Sequence, residues 1–426
     1  MKTDKKCMLL MGSFYAMNCT IISFSAYYLG KLGYKDKITG LVVALACFIG
    51  ALLQVICGRV ADKNPKWYWK NQLIIFAVVG LVLTSMLLFI NNLFVSGIIY
   101  GILILLILLI MPMTNTACFY YSSRGVPVNF GVVRGVGSVV FAAASFLVGK
   151  TTAGWGMKAV PITALFFGII FLLTVLSMPQ ASADNRSKRS SDGQPQGSTD
   201  SASKGATESS PSDSSDNQPE LSAIGTTEIK KELSSENNKG FVRKYPVFIV
   251  MAVSITLVLV LHNMVNIYLI RIVERVGGDS GSLGTALGIA AIAEIPVLFL
   301  YSKVAGKKEK SAATFILIAC AFFVLRGVLY IFATNIIMIY FVQLLQSVSY
   351  GLIIAAKASY ADQVVEREDE TTGQSVMTVT DAMSTVSGSL LGGILVDNGG
   401  VILMLWVGVA MALCGTVVAF LAGRRN

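Results

Sequence analysis

The sequence predicts an all-α protein that crosses a membrane about twelve times, and three observations lead to this fold class. The chain of 426 residues is 54% hydrophobic and only 14% charged, whereas a soluble protein has about 25% charged residues. Its mean hydropathy is +0.68. Apolar runs of about 20 residues, long enough to span a hydrocarbon core of roughly 30 Å, recur from one end to the other. Water is therefore not the main solvent of this chain.

Measured against that length, the apolar runs define the predicted spans. The first run follows a short basic N-terminus but has no small-residue cleavage site, so we expect a retained span and not a signal peptide. The predicted spans are residues 8–30, 39–61, 72–91, 93–120, 130–151, 158–178, 245–271, 282–303, 311–333, 335–360, 373–396 and 401–422.

The basic residues predict the orientation. The net charge of +10 is spread in short clusters between apolar runs and not over one soluble face, which argues against a nucleic-acid partner. Loops on the side of both termini are rich in Lys and Arg, and cytoplasmic loops carry such an excess. The opposite side has only Lys31, Lys35, Lys37, Lys150, Lys158, Arg271 and Arg275. We expect a multi-pass protein of the cell membrane with both termini in the cytoplasm.

Residues 181–244 differ in composition from the rest of the chain. They are rich in Ser, Asp, Asn, Gln, Glu and Lys, and they have almost no large apolar residues before Phe241. Such a segment cannot bury enough surface to offset its ordering entropy, so we expect a disordered cytoplasmic linker. The predicted domains are an N-terminal six-helix bundle, 1–180, this linker, and a C-terminal six-helix bundle, 245–426.

The two halves also resemble each other. The second predicted span reads GLVVALACFIG from Gly40 and the eighth reads GTALGIAAIAE from Gly284, and both lead into a basic loop. Parallel six-helix repeats are a feature of major facilitator transporters.

Two motifs carry a resemblance to that superfamily. Residues 58–63, after the second span, read GRVADK, and Gly58, Asp62 and Lys63 are similar to the signature loop between its second and third helices. Pro65 stands where the family usually has a second Gly, and a generic basic loop is the alternative. Residues 130–138, FGVVRGVGS, resemble the Tyr-Gly-x-x-Arg-x-x-Gly-Ser element of the branch that contains the lactose permease and the phenylpropionate-type permeases.

The resemblance implies two bundles of six helices, alternating access to a central site, and proton-coupled uptake of a sugar, nucleoside or similar small solute. It implies no cofactor beyond the proton gradient, and we expect no metal, a monomer, and membrane lipid as the surrounding partner. The sequence departs from the lactose permease on the tenth span, where Gln346 and Ser349 replace a His and a Glu, and on the fifth, where Phe141 replaces the sugar-stacking Trp.

Ionisable residues within spans are costly to bury, so each is a candidate functional residue. At about 1.5 Å rise per residue, Glu294 and Arg326 both lie roughly 15 Å from the outer ends of their helices, near the midplane. A carboxylate near a guanidinium at that depth suits proton coupling, although a fixed structural ion pair is the alternative. His262 and Gln346 fall at the same level, which we predict to be the substrate site.

Other candidates are less central. Arg134 is a candidate for an anionic or hydroxyl-rich substrate group, with snorkelling to the interface as the alternative. We add Asp381 to the proton-coupling residues, Asn18 and Phe141 to the cavity lining, and interpret Lys357 as an interfacial anchor. Ordinary helix packing would also explain Asn18 and Phe141.

Three other functions are alternatives. Residues 278–281, GDSG, resemble the GxSG motif of rhomboid-type proteases, but they fall in an outer loop where these residues form turns, so we expect no enzyme. A proton-driven exporter of drugs or metabolites would use the same helices. A non-transporting sensor or lipid handler is the third alternative.

Overall fold

The computed structural model is helical over the residues that it describes, which are 3–63, 69–90, 92–122, 128, 130–179, 240–305 and 312–424. No strand occurs in these ranges. The predicted all-α fold class is therefore confirmed. Most of the predicted linker, up to residue 239, lies outside the described residues, and its disorder stays a prediction.

The number of spans follows from the helix lengths. Nine helices in the described ranges are long and apolar enough to cross a membrane, and the bent pair Thr3–Ser23 and Ser25–Leu32 adds a tenth. Two of the nine are twice as long as a span needs to be, Gly131–Ser177 and Glu370–Gly423. The first is interrupted by a 3₁₀ turn at Gly156–Lys158, and the second by non-helical backbone at Gly399 and Gly400. Divided at these breaks, they complete the predicted twelve.

We number the spans α1 to α12 in chain order. In the N-terminal half, α1 is Thr3–Asn18 continued by the π-helical turn Cys19–Ser23 and by Ser25–Leu32, α2 is Asp36–Lys63, α3 is Trp69–Met86, α4 is Leu93–Ser122, α5 is Phe130–Trp155 and α6 is Ala159–Ser177. In the C-terminal half, α7 is Pro246–Ile267 continued by Leu269–Arg275, α8 is Ser280–Ala305, α9 is Ala312–Phe332, and α10 is Ile336–Leu344 continued by the π-helical turn Ser347–Gly351 and by Leu352–Val364. The last helix, Glu370–Gly423, comprises α11 before Gly399 and α12 after Gly400.

Local capping explains where several helices begin. We call the end of the bundle that carries residues 33–35 and 276–279 the outer end, after the predicted orientation. There the side chains of Asn92, Asp279 and Asn335 accept hydrogen bonds from backbone N–H groups three residues ahead, at the starts of α4, α8 and α10. Such caps satisfy donors that the helix leaves free. Hydrogen bonds from the backbone and hydroxyl of Ser282 lower the pKa of Asp279, so this acid of the GDSG motif acts as a helix cap.

Two close helix contacts join the halves. α5 packs against α8, and α2 packs against the Glu370–Gly423 helix. The first contact depends on glycine, since a Cβ on Gly284 would lie 2.2 Å from the backbone oxygen of Ser145. The two contacts are equivalent under the predicted repeat, because α2 corresponds to α8 and α5 to α11.

Apolar side chains cover the outside of the helices. On α2, Leu45, Phe48, Leu52 and Val55 are exposed at helical spacing, and each has at least half of its surface open. A soluble protein would bury such a stripe, whereas a hydrocarbon solvent covers it without cost.

Residues Met1–Pro179 and Val247–Asn426 pack as one unit. The second unit is Gln180–Pro246, of which the structure describes 240–246. In that short stretch the rings of Phe241 and Tyr245 lie 4.9 Å apart. The division into two bundles and a linker stays a prediction.

Candidate functional site

A cavity of about 170 Å³ lies between the two halves. Both halves contribute to its wall, and polar side chains are mixed with apolar ones. From the first half it is lined by Tyr15, Asn18, Ile22, Ser23, Arg134, Ser138 and Phe141. From the second half it is lined by Asn266, Leu287, Ala290, Ala291, Glu294, Gln346 and Tyr350. Convergent polar groups in a cleft are typical of small-molecule sites, and the many polar side chains here suit a polar ligand.

The helices that form this wall depart from regular geometry beside it. Ile22 and Ser23 belong to the π-helical turn of α1, and Tyr350 belongs to that of α10. Such turns are rare and occur frequently at functional sites. They re-aim the side chains that follow, which apolar periodicity in the sequence cannot show.

Arg134 is the cation of the N-terminal half of the cavity. Its guanidinium lies 4.3 Å from the centroid of the Tyr15 ring, and its Nη1 donates to the hydroxyl of Ser138 at 3.3 Å. Gly137 makes room for this ring, because a Cβ there would lie 2.6 Å from Tyr15 Cδ2. Packed on an aromatic face inside the cavity, Arg134 is not in the position of a snorkelling residue.

Arg326 is the centre of the polar network in the C-terminal half. Its Nη2 donates to Gln346 Oε1 at 2.6 Å, to Gln343 Oε1 at 2.8 Å and to the Tyr330 hydroxyl at 3.2 Å. Its side chain is only 3% exposed. Neutral oxygen acceptors therefore hold this buried cation in place.

Gln346 connects Arg326 to Glu294. Arg can only donate hydrogen bonds, so the amide oxygen of Gln346 must face Arg326 and its NH₂ group must face away. That NH₂ group donates to Glu294 Oε1 at 2.6 Å. Gln346 thus lies between the carboxyl and the guanidinium. A change in the charge or position of either group alters the hydrogen bonds of this one amide.

His262 lies behind the cavity wall and not on it. It is 3% exposed, and its ring stacks on Tyr350 with centroids 4.0 Å apart. Its Nδ1 lies 3.4 Å from Nη1 of Arg326. Because Arg has no acceptor, Nδ1 must be the acceptor, and the imidazole is neutral in this arrangement. Direct contact between His262 and a solute would require Tyr350 to move.

Asp381 has a basic partner on the neighbouring helix. It forms an ion pair with Lys357, which joins α10 to α11. Lys357 is 7% exposed, so its interpretation as an interfacial anchor is wrong: its buried ammonium group is paired with an acid whose side chain is 48% exposed. The short side chain of Asp381 reaches Lys357 because both residues lie on facing helices, which the sequence alone does not reveal.

Polar contacts join the two halves at the outer end, and we call them the outer latch. Arg271 Nε lies 3.1 Å from the carboxylate of Asp36. The carboxylate of Asp397 accepts hydrogen bonds from the backbone N–H groups of Asp36 and Lys37, at 3.0 and 2.9 Å. Asp397 therefore caps the N-terminus of α2 from the opposite half. The Tyr268 hydroxyl lies between the backbone oxygens of Asp36 and Ser389.

The structure gathers most of the predicted site residues. Asn18, Arg134, Phe141, Glu294 and Gln346 line the cavity, while Arg326 and His262 support it from behind. Gly58, Asp62 and Lys63 fall in the last turns of α2, and their side chains lie outside the described residues. What these residues do is not decided by their positions, so their roles stay predictions.

Sequence reasoning missed Tyr15, Gln343, Asn266 and Tyr350. A signal existed for Gln343, because Gln343 and Gln346 are three residues apart in an otherwise apolar stretch and so share a helix face. Tyr15, Asn266 and Tyr350 carry no such signal, since aromatic and amide residues are also common in helix packing.

This chain is similar to known proteins in sequence and in fold. The model of the MFS_1 like family matches residues 6–406. The crystal structure of the nucleoside transporter NupG superimposes with a TM-score of 0.70 at 13% identity, over 100% of this chain and 99% of that one. A peptide transporter POT in complex with sulfate gives 0.66 at 11%, over 99% and 94%. A bacterial homologue of the human lysosomal transporter Spinster, in an inward-facing conformation, gives 0.60 at 12%, over 99% and 96%. At these identities the likeness shows the fold alone. The comparison with curated proteins returned no match.

Proposed function

The chain belongs to the MFS_1 like family, and from this premise we propose that it is a proton-coupled symporter of a small polar solute. It is a multi-pass membrane transporter of the major facilitator fold and not an enzyme. The proposal adds the coupling ion, the direction and the solute class. Two of the solved structures named above are a nucleoside transporter and a peptide transporter, and a solute of similar size and polarity is proposed here.

The observation that carries the proposal is the placement of Glu294. Its carboxyl group lines the cavity, its Oε1 accepts from Gln346, and it lies within electrostatic range of Arg134 and Arg326. A charged residue at this depth is costly and needs a partner or a functional reason. Two cations around one acid leave a net positive charge, which can attract an anionic or hydroxyl-rich group of a solute.

Proton binding and solute binding are linked through Arg134. When Glu294 is ionised, Arg134 is attracted to it across the cavity. When Glu294 takes up a proton, this attraction is lost and the guanidinium is available to an anionic or hydroxyl-rich group of the solute. Solute and proton therefore bind together, which is the requirement for symport.

The outer latch fits alternating access. In this conformation the contacts of Asp36 with Arg271 and of Asp397 with the start of α2 hold the outer ends of the two halves together. For the cavity to open outward, these contacts must break.

Uptake into proteoliposomes tests the proposed function. A screen in a transport-deficient host first identifies a solute, and purified protein is then reconstituted with an imposed pH gradient. We expect accumulation against the solute gradient when the interior is alkaline, and its collapse with a protonophore. Accumulation under the opposite gradient would favour the exporter, and no flux of any solute would favour a sensor.

Substitution of Asp397 by Ala is expected to favour the outward-open state. It removes two charge-assisted hydrogen bonds between the halves, so an impermeant maleimide added outside should label a cysteine at position 266, in the cavity, about tenfold faster or more. Glu274→Gln is the matched control, because Glu274 pairs with Arg271 within one helix and does not join the halves. Equal labelling rates in both variants would show that the outer latch does not hold this end closed.

A further inference from the structure

A second concavity opens sideways between α2 and α4, on the outside of the N-terminal half. Its volume is about 290 Å³ and its wall is almost entirely apolar. We call it the lateral groove. It is lined by Tyr34, by Ile38, Val42, Leu45, Ala46 and Ile49 of α2, and by Phe94, Gly97, Ile98, Gly101, Ile102 and Leu105 of α4.

The length and position of the lateral groove match one leaflet of a bilayer. Ile38 and Ile49 of its wall are separated by about 16 Å of helix, and half of a hydrocarbon core is about 15 Å. The groove begins at the outer end of α2, two residues after its first residue, Asp36. A single acyl chain of an outer-leaflet lipid therefore fits its long axis.

Glycine residues give the groove its depth. Gly97 and Gly101 leave a strip of α4 without side chains, and both line the groove. The Tyr34 hydroxyl donates to the backbone oxygen of Leu93, and a Cβ on Gly97 would lie 2.1 Å from it. Tyr34 is thus fixed across the outer mouth, with its polar tip at the level where lipid headgroups begin.

The outer mouth of the groove carries three exposed lysines beside Asp36, whose carboxylate is paired with Arg271. Lys35 and Lys37 are exposed and adjoin the lining residues Tyr34 and Ile38, and Lys31 is exposed one turn earlier. Among the described residues, none of the three forms an ion pair, whereas Arg271 at the same end is paired with Asp36 and Glu274. Basic residues are few on this side of the protein, so three within seven residues form a distinct local charge.

We propose that the lateral groove binds an anionic phospholipid of the outer leaflet, with one acyl chain between α2 and α4 and the phosphate at Lys35 and Lys37. The positive charge of the lysines complements a phosphate, and the length of the apolar wall matches that of an acyl chain. A second copy of this chain is the other possible occupant. In a twofold dimer through this face, the lysines of one chain would lie near the same lysines of the other. Because like charges repel, this arrangement is disfavoured.

The site lies beside the outer latch. Lys35 and Lys37 flank Asp36, which pairs with Arg271, and the backbone N–H of Lys37 is held by Asp397. A phosphate bound to these lysines therefore contacts the segment that must separate from the C-terminal half. The lipid site does not depend on the identity of the solute or on proton coupling.

Native mass spectrometry of the detergent-purified full chain tests this proposal, with phosphatidylglycerol and phosphatidylcholine added in equal amounts. We expect the wild type to retain one phosphatidylglycerol in preference to phosphatidylcholine. The double variant Lys35→Gln/Lys37→Gln should lose this preference by about tenfold or more. Its matched control, Lys150→Gln/Lys158→Gln, removes two exposed lysines, one in the last turns of α5 and one in the turn that follows it, and should keep the preference.

A large side chain in the lateral groove tests whether an acyl chain binds there. Ile98→Trp places a large ring in the groove at a side chain that is 49% exposed, and should reduce retention of both lipids. Val82→Trp is its control, because Val82 is 53% exposed on α3 and does not line the groove. Equal retention of the two lipids by the wild type, or unchanged retention in the lysine and Ile98 variants, would overturn the proposal. So would a dimer that a disulfide at an Ile98→Cys position traps in lipid vesicles.

Discussion

Replacement of Glu294 by Gln is expected to abolish solute accumulation driven by a pH gradient and to leave solute exchange intact. The amide keeps the size of the side chain and its contact with Gln346, but it cannot release a proton. A gradient of about one pH unit supplies about 1.4 kcal/mol, which is a tenfold accumulation of a neutral solute for each proton carried. In the variant, the ratio of internal to external solute should fall to about one, whatever the gradient.

The comparison requires exchange and accumulation to be measured on the same vesicles. Counterflow of labelled solute, which needs binding and alternating access but no net proton movement, should proceed at a rate near that of the wild type. Glu274→Gln is the control, because it makes the same chemical change on a partly exposed residue at the outer end of α7 that does not line the cavity. Accumulation that survives in Glu294→Gln would show that this acid does not carry the coupled proton.

The second large effect is expected from Gln346→Leu. This substitution removes the acceptor that lies 2.6 Å from Arg326 and the donor that lies 2.6 Å from Glu294. Hydrogen bonds to charged groups contribute about 1.5–3 kcal/mol each, and a charge left buried without its partner costs more than the bond was worth. We expect a lower melting temperature in detergent together with loss of gradient-driven accumulation.

Gln343→Leu separates stability from coupling. Gln343 also accepts from Arg326, at 2.8 Å, and it is 1% exposed, but it does not lie between Arg326 and Glu294. This variant should lose a similar amount of thermal stability and still accumulate solute. If both variants accumulated solute equally well, the Gln346 amide would have no special part in coupling.

Much of the fold could be predicted from the sequence because each span must be long and apolar to cross a bilayer. The helices begin and end near the predicted residues, and the predicted level of Glu294, Arg326, His262 and Gln346 follows from rise per residue alone. The structure joins these four in one chain of contacts. The depth of a residue along its helix depends only on its number in the sequence and the rise per residue, so it can be predicted.

The order of the contacts could not be predicted in the same way. That Gln346 separates Glu294 from Arg326, and that His262 lies behind Tyr350, depends on the rotation and tilt of helices from distant parts of the chain. The pairing of Asp381 with Lys357 and the cap that Asp397 gives to α2 have the same origin. The π-helical turns add a further change of direction that no periodicity reveals.

The central claim is that a proton accompanies the solute, and the most direct test is a record of external pH during solute entry. De-energised vesicles that contain the protein receive the solute identified by the screen, in weakly buffered medium with a permeant ion to prevent a membrane potential. The account predicts that the medium becomes more alkaline as solute enters, in the wild type and not in Glu294→Gln. Solute entry with no change of pH, or with acidification of the medium, would contradict it.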